Sequence, residues 1–196
     1  MKLRLSKRKH IPLIYIDGYG EMYPWQWHIA MFGYFRKKRL TKIGIRFCNG
    51  SGLMEEWHEF EKNYLPPKNF NKNGLIVDVG ARDGDTAVFY FAHGYRNMRL
   101  IEPGEEYHGL LEHNASVLRK QGCKIEVLKR GFSLSDLQGA SFLKMDCEGC
   151  EHELDYTTLR IPYTIVIHRK AEADNGIYPY MKEIGIIKDD LSNSPR

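Results

Sequence analysis

The stretch "FLKMDCEGCEHE", Phe142 to Glu153, concentrates groups able to do chemistry. Cys147 and Cys150 form a C-x-x-C pair with His152 close behind, and Asp146, Glu148, Glu151 and Glu153 surround them. Metal binding, thiol redox chemistry and acid–base work compete for this segment. A zinc site needs further ligands; His152 is too close in sequence to complete a second pair, so Cys123 or His168 would have to converge by folding. A redox pair needs a stabilised thiolate, which the neighbouring carboxylates oppose. The acids are therefore the stronger candidates. The cysteines read as coincidental, and no metal site is expected.

A second acidic group surrounds the glycine loop in "LIVDVGARDGDT". Gly80 and Gly84 let backbone approach a ligand, but the spacing is neither the dinucleotide fingerprint nor a P-loop. Asp78, Asp83 and Asp85 would repel a pyrophosphate and attract a cation. S-adenosylmethionine carries a sulfonium and an ammonium, so it suits such a loop. Glu102 follows about 20 residues on, where a strand-end carboxylate accepts ribose hydroxyls.

These residues need a scaffold that brings strand ends together. From residue 74 the chain alternates strand and helix: "GLIVDVG", "DTAVFYFAHG", "MRLIEP", "GEEYHGLLEHNASVLRKQG", "CKIEVLKR", "SFLKMD", "CEHELDYTTL" and "YTIVIH". A helical turn at "SLSDLQ" is capped by Ser133 or Ser135; a last helix in "GIYPYMKEIG" and a last strand at "IIKDD" follow. The alternation predicts an α/β fold with a Rossmann-like, doubly wound, mostly parallel sheet. Asp146 then lies at the carboxyl end of strand four and His168 at that of strand five, facing the ligand crevice of open sheets. Asp146, Glu148 and His168 are the candidate catalytic groups. Lys144, inside strand four, reads as the structural partner of a nearby acid.

The preceding chain divides in two. Residues 51–70 begin as a helix, with Leu53, Trp57, Phe60 and Tyr64 at three- and four-residue spacing until Pro66-Pro67 stop it. Residues 1–50 form a small β and aromatic-rich extension, with β-like runs at "PLIYI" and "KIGIRF" and a turn at Asp17-Gly18. The domains expected are thus this extension and residues 51–196. The extension is basic: Arg36, Lys37, Lys38 and Arg39 follow Trp25, Trp27, Phe32 and Tyr34. Such a mixture suits either packing, including a homodimer interface, or nucleic-acid contact.

Net charge is +4 over 196 residues, and no apolar run reaches membrane-spanning length, so no membrane partner is expected. Four scattered cysteines are too few for a disulfide scaffold, which predicts reduced thiols in a cytoplasmic protein.

Two segments carry a resemblance. "LIVDVGARDGDTAVFYFAHGYRNMRLIEP" with the later "SFLKMDCEGCE" resembles the FkbM-type S-adenosylmethionine-dependent methyltransferases. The matching positions are Asp78, Gly80, Ala81, Gly84 and Thr86 in the loop; Glu102 and Pro103 after strand two; and Lys144, Asp146, Glu148, Gly149 and Glu151 after strand four. The resemblance implies a class I methyltransferase fold, here with curtailed C-terminal strands. It implies cofactor contacts through Asp78, Gly80, Ala81, Asp83, Gly84, Thr86, Glu102 and Pro103, and O-methylation of a small-molecule or sugar hydroxyl. The alternative is RNA methylation, or a degenerate fold serving as a nucleic-acid-binding or assembly module.

Overall fold

The computed structural model describes residues 3–8, 11–16, 20–22, 27–47, 57, 60–61, 64–147, 149–150, 154–155, 159–168 and 187–189. Its N-terminal part holds strands β1 (Leu3–Arg8), β2 (Ile11–Ile16) and β3 (Gly20–Met22) in an antiparallel sheet of order β1-β2-β3. Helix α1 (Trp27–Lys42) follows.

The rest is α/β. In chain order come β4 (Leu75–Val79), α2 (Asp85–Ala92), β5 (Asn97–Ile101), α3 (Glu105–Lys120), β6 (Lys124–Leu128), β7 (Ala140–Met145), β8 (Tyr163–His168) and β9 (Ile187–Asp189). A short 3-10 turn at Leu134–Leu137 precedes β7, where Asp136 Oδ2 accepts from the Ser133 amide at 2.8 Å. The strands pair in parallel in the order β6-β5-β4-β7-β8-β9. The chain therefore starts in the middle, builds outward through β5 and β6, then returns to the other side of β4. Strand order reverses between β4 and β7.

Alternation along the strands feeds two cores, as a sheet buried on both faces requires. Ile76, Met98, Leu100 and Phe142 pack with α2, α3 and the aromatic residues Trp57, Phe60 and Tyr64. Val77, Val79, Ile101, Leu143 and Met145 face the opposite way, against Phe132, Leu137, Leu154, Leu159 and Ile161. Helix α2 is buried from Asp85 to Tyr90, as expected of a segment that is apolar nearly all round. Its Phe89 and Tyr90 are fully buried, and a Phe-sized side chain contributes about 1.5–3 kcal/mol by leaving water. Gly94, at φ +90°, ends it as expected, with the Tyr95 amide bonding back to the Tyr90 carbonyl at 3.0 Å. Helix α3 turns Leu111, Asn114, Ala115 and Leu118 inward and keeps acids in its first turn and bases in its last, matching its dipole.

Three expectations change. The run Ile43, Ile45, Phe47 is no strand, because α1 continues to Lys42 and Gly44 then turns the chain at φ +100°. Ile45 is still buried at 2 % exposure. The Asn114 side chain replaces a neighbouring strand, accepting from the Arg46 amide at 3.0 Å and donating to its carbonyl at 2.9 Å. The aromatic stretch from Trp27 becomes α1, whose Leu40 joins the first core. Lastly, Leu154, Asp155 and Leu159, expected in a third helix, have no helical backbone. The rest of that segment, apart from a 3-10 residue at Cys150, lies outside the described residues, as does "GIYPYMKEIG".

The two central strands are joined by charge as well as by their ladder. Asp78 on β4 and Lys144 on β7 are register partners, and their side chains form a buried ion pair at 2.9 Å. Removing one member of such a pair strands the other charge in a medium that solvates it poorly. Lys144→Met should therefore lower unfolding stability by about 3–5 kcal/mol in urea titration, whereas Asp78→Asn combined with Lys144→Met should lose less than that single change.

Candidate functional site

The reversal of strand order opens a crevice beyond the carboxyl ends of β4 and β7. A cavity of about 550 Å³ occupies it. Its walls come from the loop after β4 (Gly80, Arg82, Asp85, Thr86), the end of β5 (Ile101, Glu102, Pro103), the start of α3 (Tyr107) and the end of β7 (Lys144, Asp146, Cys147, Cys150). Phe60, Tyr64 and Phe132 close its sides.

The loop after β4 is held from both flanks. Gly80 has φ +78°, and its amide and that of Ala81 both donate to the Ile101 carbonyl, at 3.0 and 3.1 Å. A Cβ at Gly80 would overlap the Asp146 carbonyl oxygen, so the close approach of the two strand ends requires glycine. Arg82 also takes a positive φ of 45°. Its amide donates to Glu102 Oε2 at 2.7 Å, while the Gly104 amide donates to Oε1 at the same distance. Glu102 thus locks the loop to the end of β5, and each of its oxygens keeps a further lone pair.

Asp78 lies beneath the loop and is fully buried. Its Oδ2 accepts from the Thr86 hydroxyl at 2.5 Å. The Lys144 ammonium forms an ion pair with Oδ1 at 2.9 Å and also donates to the Gly80 carbonyl at 3.1 Å. Burial alone would lower the Lys144 pKa, but the carboxylates of Asp78, Asp146 and Asp85 outweigh it and the ammonium is held above its ordinary value.

Asp146 hangs from the Val79 carbonyl by its amide, at 3.1 Å. Its Oδ2 accepts from the Tyr64 hydroxyl at 2.7 Å. Burial, then the adjacent Asp146 charge, keep the Tyr64 phenol protonated far above its usual range, so Tyr64 is a permanent donor. Asp85 also lines the cavity. Burial first, and then the charge of Asp83, push its carboxyl up to about 7, although Lys144 and the Thr86 amide pull the other way.

The expected site residues separate by position. Gly80, Thr86, Glu102, Pro103 and Asp146 line the cavity. Asp78, Ala81, Asp83 and Gly84 do not; they shape the loop from behind, with the Asp83 carbonyl accepting from Asn114 at 3.0 Å. Among the described residues Asp83 Oδ1 has no hydrogen-bond partner. His168 ends β8, and only its backbone is described; Glu148 lies outside the described residues.

Tyr64, Arg82 and Tyr107 are lining residues that the sequence reading did not single out for the site. Asp85 was visible as one of three acids around the loop. Tyr64 was visible only as an apolar helix position, and nothing in its spacing announced a polar contact across 82 residues. In the basic segment, Arg36 is engaged within the protein, stacked over Trp57 at 4.8 Å and paired with Glu61 at 3.1 Å.

The cysteines require a correction. Cys147 and Cys150, read as coincidental and reduced, form a disulfide in the cavity wall, with Cα atoms 5.7 Å apart. This pair therefore gives no support to a reducing compartment; Cys123 is a buried free thiol. Among the described residues no helix is long and apolar enough to cross a membrane.

No protein-family profile matches the chain. It is 29 % identical over 114 residues to "Uncharacterized protein 158B" of Sulfolobus islandicus rod-shaped virus 1, a match that covers 57 % of this chain and 70 % of that protein.

The position of Asp85 sets a pH dependence. A carboxyl raised from 3.8 to about 7 in the folded state favours folding while it is protonated. That contribution is lost as pH rises from about 4 to about 7. Asp85→Asn should leave stability unchanged near pH 4 and raise it above pH 7, by at most about 4 kcal/mol. Urea titrations of both proteins across this range check the crossover.

Proposed function

We propose that this protein is an S-adenosylmethionine-dependent methyltransferase with a Rossmann-like, doubly wound fold. The FkbM resemblance supports the same reading. The observation that carries it is the charge of the cavity at the strand reversal. Asp85, Glu102 and Asp146 line it, while the Lys144 charge is taken up by Asp78; among the described residues Arg82 is the other cation of its lining. With Asp85 ionised, three carboxylates and one guanidinium suit a ligand with two cationic centres and one carboxylate. They repel a di- or triphosphate.

The residues present fit that cofactor. The remaining lone pairs of Glu102 would take the two ribose hydroxyls. Ile101, Tyr107 and Phe132 offer apolar walls for the adenine, and Arg82 a partner for the carboxylate. Asp85 in its ionised form would face the positive end. When bound, S-adenosylmethionine supplies an electrophilic methyl group on sulfur.

The chain supplies position and a proton acceptor. Tyr64 fixes the Asp146 carboxylate through Oδ2, which leaves Oδ1 to receive the proton of an attacking hydroxyl. An oxygen acceptor on a small molecule or sugar fits a single carboxylate base.

Titration calorimetry with S-adenosylmethionine is the test. The wild type should bind with an affinity that rises through pH 7 as Asp85 ionises. Glu102→Gln should weaken binding by about tenfold or more, and Asp85→Asn should remove the pH dependence. Absence of binding by folded wild-type protein would refute the enzyme reading and leave a binding or assembly module in its place.

A further inference from the structure

We propose that the Cys147–Cys150 disulfide is a redox-active site whose state sets the shape of the cavity wall, with a small dithiol as its reductant. Both cysteines line the cavity and both are partly exposed, so a reductant has access. The disulfide begins one residue after Asp146, at the best-anchored point of that wall. The Asp146 amide is bonded to Val79, its carboxylate to Tyr64, and its carbonyl is seated where Gly80 lacks a side chain. The cross-link ties Cys150 back to this anchor over a separation of three residues, through Gly149 at φ +132°. So short a loop constrains a turn and hardly constrains a fold. The consequence of breaking it is local, and what is local to it is the cavity and, through the Gly80 contact, the loop after β4.

The exchange balances without any further reactant. One thiolate of the dithiol attacks a cysteine sulfur, the S–S bond breaks, and the departing sulfur takes a proton. The second thiol of the reductant then attacks the mixed disulfide, freeing the other cysteine as a thiol and leaving the reductant as a cyclic disulfide. Two electrons and two protons pass from the dithiol to the protein.

The effect on S-adenosylmethionine rests on the methyltransferase reading; the effect on the wall does not. Hydrogen exchange of the full chain should be compared before and after native-state treatment with dithiothreitol, with alkylation and mass spectrometry reporting the cysteines. Reduction should expose Cys147 and Cys150 and speed exchange about tenfold or more in peptides covering 79–86 and 144–150, with 111–118 unchanged. The Cys147→Ser/Cys150→Ser double variant should show that pattern without reductant. S-adenosylmethionine affinity should fall about fivefold or more on reduction. A pair that resists dithiothreitol in the native state overturns the proposal, as does unchanged exchange at 79–86 or a rise spread over the whole chain. If neither redox form binds S-adenosylmethionine, the methyltransferase reading fails, and the exchange data still decide this one.

Discussion

The buried ion pair of Lys144 with Asp78 is the constraint on which the site depends. It lies where strand order reverses, between the two strands whose carboxyl ends form the crevice. Lys144 also donates to the Gly80 carbonyl, and Asp78 accepts from Thr86 at the start of α2. One pair of opposite charges thereby fixes β4, β7, the glycine loop and the first turn of the helix. A buried ion pair is a poor source of net stability, because desolvation takes back much of its attraction. Its value lies in register and in local charge. With the lysine neutralised from below, the cavity presents carboxylates.

The site is a set of links between segments distant in sequence. Glu102 joins β5 to the loop after β4, Tyr64 joins the aromatic segment before β4 to the end of β7, and Asn114 joins α3 both to the chain after α1 and to the carbonyl of Asp83. Each uses a polar group buried or half-buried, where an unmade hydrogen bond is costly. The loop therefore has little freedom before any ligand arrives, and a preorganised site loses less entropy on binding. The disulfide extends this logic to the last part of the wall, with a bond that chemistry can open.

Strand periods and glycine stops made the parallel sheet, the helices after β4 and β5, and the strand-end positions of Glu102 and Asp146 legible in the sequence. Those features are local, set by alternation, a run of β-branched residues or a C-capping glycine. Contacts across long separations were not legible. Ile43, Ile45 and Phe47 alternate like a strand, yet Asn114 satisfies the backbone between them. Tyr64 occupies an apolar helix position and proves to be a hydrogen-bond donor in the cavity. The acids around Cys147 and Cys150 argued against a thiolate and said nothing against a disulfide, which carries no charge. Asp78 was legible as part of the loop, but its burial beneath that loop was visible only once β7 lay beside β4.

The central claim is that the cavity at the strand reversal holds an adenosyl sulfonium through its carboxylates. A crystal structure of the protein grown with S-adenosylmethionine tests it most directly. The account predicts the ligand between Gly80 and Asp146, its ribose hydroxyls on Glu102 and its carboxylate on Arg82. A ligand bound elsewhere, or one in this cavity with its ribose away from Glu102, would contradict it.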